Sequence, residues 1–147
     1  MVDDLDLQIL HVLRQDARLS FRKIAKRINV ATGTIKNRIG KLEKEGIIRK
    51  YSASIDYTKL GYAIAATIGI SVNREYLETV EKNLAKNKNV FGIYEVTGEY
   101  DLFVGVRFKS MDELSAFIKR ELAHKSIEKS TTYLILKTEK EAHTLLD

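Results

Sequence analysis

The stretch "KIAKRINVATGTIKNRIGKLEKEG", Lys23 to Gly46, holds two amphipathic helical patterns separated by a few small or polar residues, Asn29 to Thr32. Before the break, Ile24, Ala25 and Ile28 fall on one side of a helix. After it, Ile35, Ile39 and Leu42 do the same. Ser20 is a good N-cap for the first of these helices, and Leu19 with Ile24 suits a hydrophobic staple. Thr32 is the expected cap of the second, and Gly46 its stop. Upstream, Asp3 or Asp4 is placed to start an earlier helix that buries Leu5, Ile9, Val12 and Leu13. Three short helices with a tight break before the last describe a helix-turn-helix, its second and third helices and turn spanning about 20–45, or a plain three-helix bundle.

The outward side of the last helix bears on that choice. At 100° per residue, Gly33, Asn37, Gly40 and Lys44 lie opposite the apolar stripe, flanked by Thr34, Lys36 and Lys41. Asn can form two hydrogen bonds to adenine, Thr can meet a base edge or a thymine methyl, and Lys can reach guanine or a phosphate. Arg22 and Lys23, with Lys26 and Arg27, are candidate phosphate anchors on the preceding helix. The candidate DNA contacts are Ser20, Arg22, Lys23, Thr32, Gly33, Thr34, Lys36, Asn37, Arg38 and Lys41. Arg38 has two readings, a phosphate contact or a partner for an acidic residue of the first helix. Gly40 costs roughly 1 kcal/mol against Ala inside a helix; it either permits close approach to DNA or has no role, and the sequence favours neither reading.

Charge points the same way. The chain of 147 residues has a formal net charge of +5, and residues 18–50 hold eleven Lys/Arg against Glu43 and Glu45. Residues 61–147 are nearly neutral, with twelve basic and thirteen acidic side chains. A basic N-terminal block on an otherwise balanced chain suits a nucleic-acid partner, double-stranded DNA here. The absence of cysteine rules out disulfides and thiolate chemistry. The acidic start "MVDDLDLQIL" lacks a secretory leader, and no apolar run is long enough for a membrane span. The expectation is a cytoplasmic, nucleoid-associated protein without a cofactor or metal.

Beyond Gly46 the period changes. In "IIRKYSASIDY", residues 47–57, Tyr51, Ala53, Ile55 and Tyr57 alternate with polar residues, as in a half-buried strand. The remainder reads as strand 62–72, helix 75–87, strands 90–97 and 101–109, helix 111–124 and strand 130–138. That order, βαββαβ, is a split ferredoxin-like unit. The fold class is therefore α+β, in three parts: 1–46 helix-turn-helix, 47–61 linking strand, and 62–147 βαββαβ domain.

"DDLDLQIL", "QDARLS", "IAKRINVATGTIKNRIGKLEKEGIIRKYSASID", "LGY", "VTGEYDLFVGV" and "STTYLIL" together resemble the Lrp/AsnC family of leucine-responsive, or feast/famine, regulators, in order over nearly the whole chain. The resemblance implies a winged-type helix-turn-helix, a linking strand, and a RAM-type ligand-sensing domain that dimerises through its sheets and often assembles into higher oligomers. It also implies transcription regulation in response to an amino acid. Three features depart from the family pattern: Asp56-Tyr57 lacks the linker proline, "NKNV" replaces a Pro-Gly turn, and Thr32 stands where Ser is common.

In "VTGEYDLFVGV", Gly98 permits positive φ and exposes backbone N–H groups, while Asp101 supplies a carboxylate. Gly98, Glu99, Tyr100 and Asp101 thus offer an acceptor for an ammonium and donors for a carboxylate; a simple hairpin turn would use the same residues. The resemblance implies effector binding at this turn, between dimers, with last-strand hydroxyls that map to Ser130 and Thr132. Tyr76 is a further candidate to line the ligand's side chain. Two functional readings follow: an effector-modulated, sequence-specific regulator, or an architectural DNA-binding protein without effector. An enzyme is disfavoured, because Glu99 and Asp101 sit in a predicted turn, His11, His124 and His143 form no spaced cluster, and no phosphate loop or nucleophile elbow appears.

Overall fold

The structure is a computed structural model that describes residues 2–139 and Glu141. The chain divides into two compact units, with the division after Ser54.

The first unit is built from α1 (Asp4–Gln15), α2 (Phe21–Ile28) and α3 (Thr32–Lys44). Asp3 caps α1 by accepting from the Asp6 N–H at 3.0 Å, and Asp6 returns the bond to the Asp3 N–H at 3.2 Å. Ser20 caps α2 through the Lys23 N–H. Asn29 closes α2 in the left-handed conformation, φ 61°, and turns the chain sharply enough for α3 to start three residues later. Ile9, Val12, Leu13, Ile24, Ala25, Ile35, Ile39 and Leu42 form one core, with Leu19 and Ile28 packed on it. The expected cap of α3 shifts by one position. Ala31 is the N-cap and Thr32 the first helical residue, with no side-chain cap.

The second unit contains β1 (Ile64–Val72), a 3₁₀ turn (Arg74–Tyr76), α4 (Leu77–Ala85), β2 (Val90–Glu95), β3 (Leu102–Phe108), α5 (Met111–Glu121) and β4 (Ile127–Leu134). The sheet order is β2-β3-β1-β4 with all neighbours antiparallel, so each βαβ crossover skips one strand. Alternation along the strands decides the core. Ala66, Ile68, Ile70 and Val72 of β1 and Leu102, Val104, Val106 and Phe108 of β3 face α4 and α5, and pack on Val80, Leu84, Leu114 and Phe117. The opposite side of the sheet carries Phe91, Tyr94, Phe103 and Tyr133 and is covered by neither helix.

Residues 47–57 do not form the expected strand. They pair with no strand of the sheet, and Tyr51, Ile55 and Tyr57 remain exposed. A period-two pattern supplies one side of a ladder, and the other side is not found within the described chain.

Candidate DNA-reading face and sensing turn

The exposed side of α3 follows from its buried one. Ile35, Ile39 and Leu42 are withdrawn into the core, which leaves Thr32, Gly33, Lys36, Asn37 and Gly40 exposed along one stripe, with Thr34 half-buried at its margin. Side chains added at Gly33 or Gly40 would meet nothing within 4 Å, so internal packing does not require either glycine. Ser20, Arg22 and Lys23 are exposed at the start of α2.

Two cations of α3 have partners on α1. Arg38 Nη1 forms ion pairs with Asp3 and with Asp6, the latter at 3.2 Å, and Lys41 Nζ lies 3.7 Å from Asp6. Asp6 is wholly buried, and these pairs together with the capping box meet its needs. The Asp6 N–H and then the Arg38 guanidinium hold the Asp3 carboxyl below its ordinary value of 3.8. Of the two readings of Arg38, the ion pair with the first helix is the one the structure contains.

In the second unit, Gly98 adopts φ 129° in the turn between β2 and β3, and the Val96 N–H donates to the Asp101 carbonyl at 2.9 Å. The polar groups of this turn are engaged. Asp101 Oδ2 accepts from the Val72 N–H at 2.8 Å. Glu99 pairs with Lys129 at 2.6 Å, and its carboxylate raises the Lys129 pKa. The Glu99 carbonyl accepts from Ser71 Oγ at 3.3 Å. Tyr100 is buried; its hydroxyl donates to Thr131 Oγ1 at 2.8 Å and lies 3.4 Å from the Tyr133 hydroxyl.

Gly98, Glu99, Tyr100 and Asp101 are therefore brought together, while the other three effector candidates are not at the same place. Ser130 and Thr132 stand opposite Ile70 and Ile68, which places them on the helix-bearing side of the sheet. The last-strand hydroxyl that reaches the turn is Thr131, one position between them. Tyr76 lines a cavity of about 150 Å³ between α4 and the end of α5, with Thr79, Asn83, Glu121, His124 and Ser126. Reasoning from sequence passed over Thr131, Ser71 and Lys129. The available signal was Gly69, a glycine inside a strand, which marks the close approach of the Tyr100 ring. His143 lies outside the described residues.

Comparison with known proteins agrees with both units. Residues 2–49 match the winged helix-turn-helix DNA-binding model, and residues 65–145 match the Lrp/AsnC ligand binding domain. The chain is 44% identical over 140 residues to an uncharacterized HTH-type transcriptional regulator of Pyrococcus furiosus, covering 95% of each chain. It is 36% identical over 144 residues to the HTH-type transcriptional regulator FL11 of Pyrococcus horikoshii, covering 98% of this chain and 95% of that one. Among solved structures, AsnC of E. coli superposes with a TM-score of 0.91 at 26% identity, covering 98% of each chain. A Neisseria meningitidis transcriptional regulator, solved as its L-Met complex, superposes with a TM-score of 0.93 at 25% identity over 99% of this chain and 96% of that one. The chain belongs to the Lrp/AsnC family of transcriptional regulators.

Proposed function

We propose that the protein is a sequence-specific DNA-binding transcription regulator whose occupancy of DNA is modulated by a small effector, an amino acid. The observation that carries the reading is the α3 stripe, Thr32, Gly33, Lys36, Asn37 and Gly40, exposed on a helix whose opposite face is wholly buried. Asn37 reads a base edge, Lys36 reaches a phosphate or guanine, and Arg22, Lys23 and the Ser20 backbone hold the flanking phosphates. Arg38 and Lys41 hold α3 against α1 and so fix the angle at which the stripe is presented.

The working unit is a homodimer. The helix-free side of the sheet exposes Phe91, Tyr94 and Tyr133, each about half accessible in the single chain. A second copy covering that surface would bury it and place two heads on one duplex. Effector binding belongs to the turn Gly98–Asp101. The L-Met complex of the Neisseria relative supports an amino acid as the ligand class. A ligand carboxylate there competes with Glu99 for Lys129, and its ammonium takes the oxygen of Asp101 not held by Val72.

Selection of DNA sites from a random pool tests the first part, and a thermal-shift screen of the twenty amino acids tests the second. A selected palindromic site and a rise in melting temperature with one or a few amino acids, lost in Asp101→Ala, are the expected results. Salt-sensitive binding without a selected site, together with no thermal shift, transfers the protein to the architectural class.

A further inference from the structure

The segment between the two units, read from its sequence as a strand, is instead fastened at both ends by tyrosines. On the head side, the Tyr51 hydroxyl donates to Glu43 Oε1 of α3 at 2.8 Å. On the sensing side, Tyr57 lies over Arg107 of β3, the guanidinium carbon 5.5 Å from the ring centroid. The same guanidinium lies 5.3 Å from the Phe91 ring, and its Nη2 donates to both Glu141 oxygens at 2.9 and 2.6 Å. Arg107 is thus a cation held between two rings and a carboxylate, its side chain only 18% exposed, and such partial desolvation strengthens a cation–π contact. The turn around Tyr57 is well made: Asp56 Oδ1 accepts from the Thr58 and Lys59 N–H groups, and the Tyr57 carbonyl accepts from Leu60 and Tyr62. Tyr62 meets Tyr57 edge-on at 5.9 Å. Between the two attachments, Ser52, Ala53, Ser54 and Ile55 take part in no hydrogen bond or ion pair with any of the described residues.

We propose that Glu43–Tyr51 and Arg107–Tyr57 are two latches that shorten the tether between DNA-binding head and sensing domain, and so restrict the half-site spacing one dimer can occupy. The inference rests on the dimeric DNA-binding reading above. With both latches closed, the five residues 52–56 bridge Tyr51 and Tyr57, a reach of at most about 20 Å. With both open, the chain is free from the last residue packed on the head core, Ile48, to the hydrogen-bonded turn that begins at Tyr57 and whose Tyr62 ring keeps the Lys109 ammonium at 5.5 Å. That reach is at most about 31 Å. A short tether concentrates the second head near a narrow range of positions once the first is bound, and a long one spreads it. Arg107 and Tyr51 are positioning residues in this scheme and touch no DNA.

Two measurements on the full-length chain test it. The first is hydrogen exchange. In Arg107→Met, the amides of Leu60, Gly61 and Tyr62 are expected to exchange about tenfold faster or more, with β1 and β3 amides unchanged. Unchanged protection at these three amides overturns the sensing-side latch. The second is binding to duplexes carrying one half-site, or two at increasing centre-to-centre spacing. Wild type is expected to favour one spacing, and the Tyr51→Phe/Arg107→Met double variant to flatten that preference by about threefold or more while binding a single half-site as wild type does. A variant that keeps the wild-type spacing profile overturns the latches. A wild-type chain that gains nothing from a second half-site overturns the dimeric reading and the spacing role together. The exchange result separates that outcome from a linker that was never fastened. Arg107→Lys, which keeps a positive charge but not the planar group stacked on Tyr57, is expected to fall between wild type and Arg107→Met in both signals.

Discussion

The ring of Tyr100 fills the space above Gly69 that a side chain would occupy: a Cβ at residue 69 would lie 2.7 Å from a ring carbon. Gly69 is a residue of β1 paired with Phe103 and Thr131, so the pair joins the turn at Gly98–Asp101 to the two strands that flank β1. Gly69→Ala must displace the ring and break its bond to Thr131. The melting temperature is expected to fall by about 5 °C or more. In a Tyr100→Ala background the same change should cost much less. Equal costs in the two backgrounds would show that the ring is not what the alanine meets.

Gly40 offers a sharper separation of stability from function. It lies inside α3 with open space around it, so Gly40→Ala should raise stability by roughly 1 kcal/mol through helix propensity alone. If the α3 stripe is pressed against DNA, the same variant binds its site more weakly despite being more stable. Denaturant unfolding and a DNA titration on one preparation check both halves.

Base reading and phosphate holding separate in the same assay. Asn37→Ala is expected to reduce discrimination at one base position by roughly tenfold, the loss of a good bidentate contact. Lys36→Ala should weaken all duplexes more evenly and flatten the dependence of affinity on salt. A selected-site profile unchanged by Asn37→Ala would remove that residue from the reading face.

Acid should loosen the head through Asp3. Its pKa in the folded chain is depressed, by the Asp6 N–H first and Arg38 second. A depressed carboxyl contributes stability that is complete above its ordinary value of 3.8 and is lost as pH falls through the lower folded value. Melting curves of wild type and Asp3→Asn should therefore lie apart at neutral pH and converge as pH falls below 3.8 through the lower folded value. Parallel curves across that range would show that Asp3 is not the acid-sensitive group.

At alkaline pH, burial and the Glu43 carboxylate push the Tyr51 phenol up to about 12. Ultraviolet titration of Glu43→Gln should show one tyrosine moving to lower pH relative to wild type, because the carboxylate that opposes the phenolate is gone. Tyr51→Phe removes that step altogether and serves as its assignment.

Much of this architecture was legible in the residues, and the limits have physical causes. The caps at Asp3 and Ser20 and the buried stripe of α3 follow local rules that one helix can satisfy alone, and the structure agrees on each. The order of strands and helices after residue 62 was legible because the change between a period of two and a period of 3.6 is itself written along the chain. Three features depend on partners distant in sequence. Arg38 lay on the flank of its helix, and only the packing of α1 across α3 sets Asp3 and Asp6 beside it. The hydroxyl facing Tyr100 is Thr131 because the register of β4 on β1 sets the parity of the strand; a shift of one residue would have presented Ser130 and Thr132 instead. Residues 47–57 carry a strand's alternation, yet a strand also needs a neighbour, and sequence cannot say whether the chain provides one.

The open side of the sheet has three glycines, and each has an aromatic ring seated on it. Tyr100 lies over Gly69, Phe91 over Gly105 and Tyr94 over Gly92. A ring resting on bare backbone has already given up its rotational freedom. A molecule arriving at this surface meets aromatic groups that need not be frozen into place, so little side-chain entropy opposes its docking. Shape matching at this face should govern how quickly an encounter comes apart more than how quickly it begins.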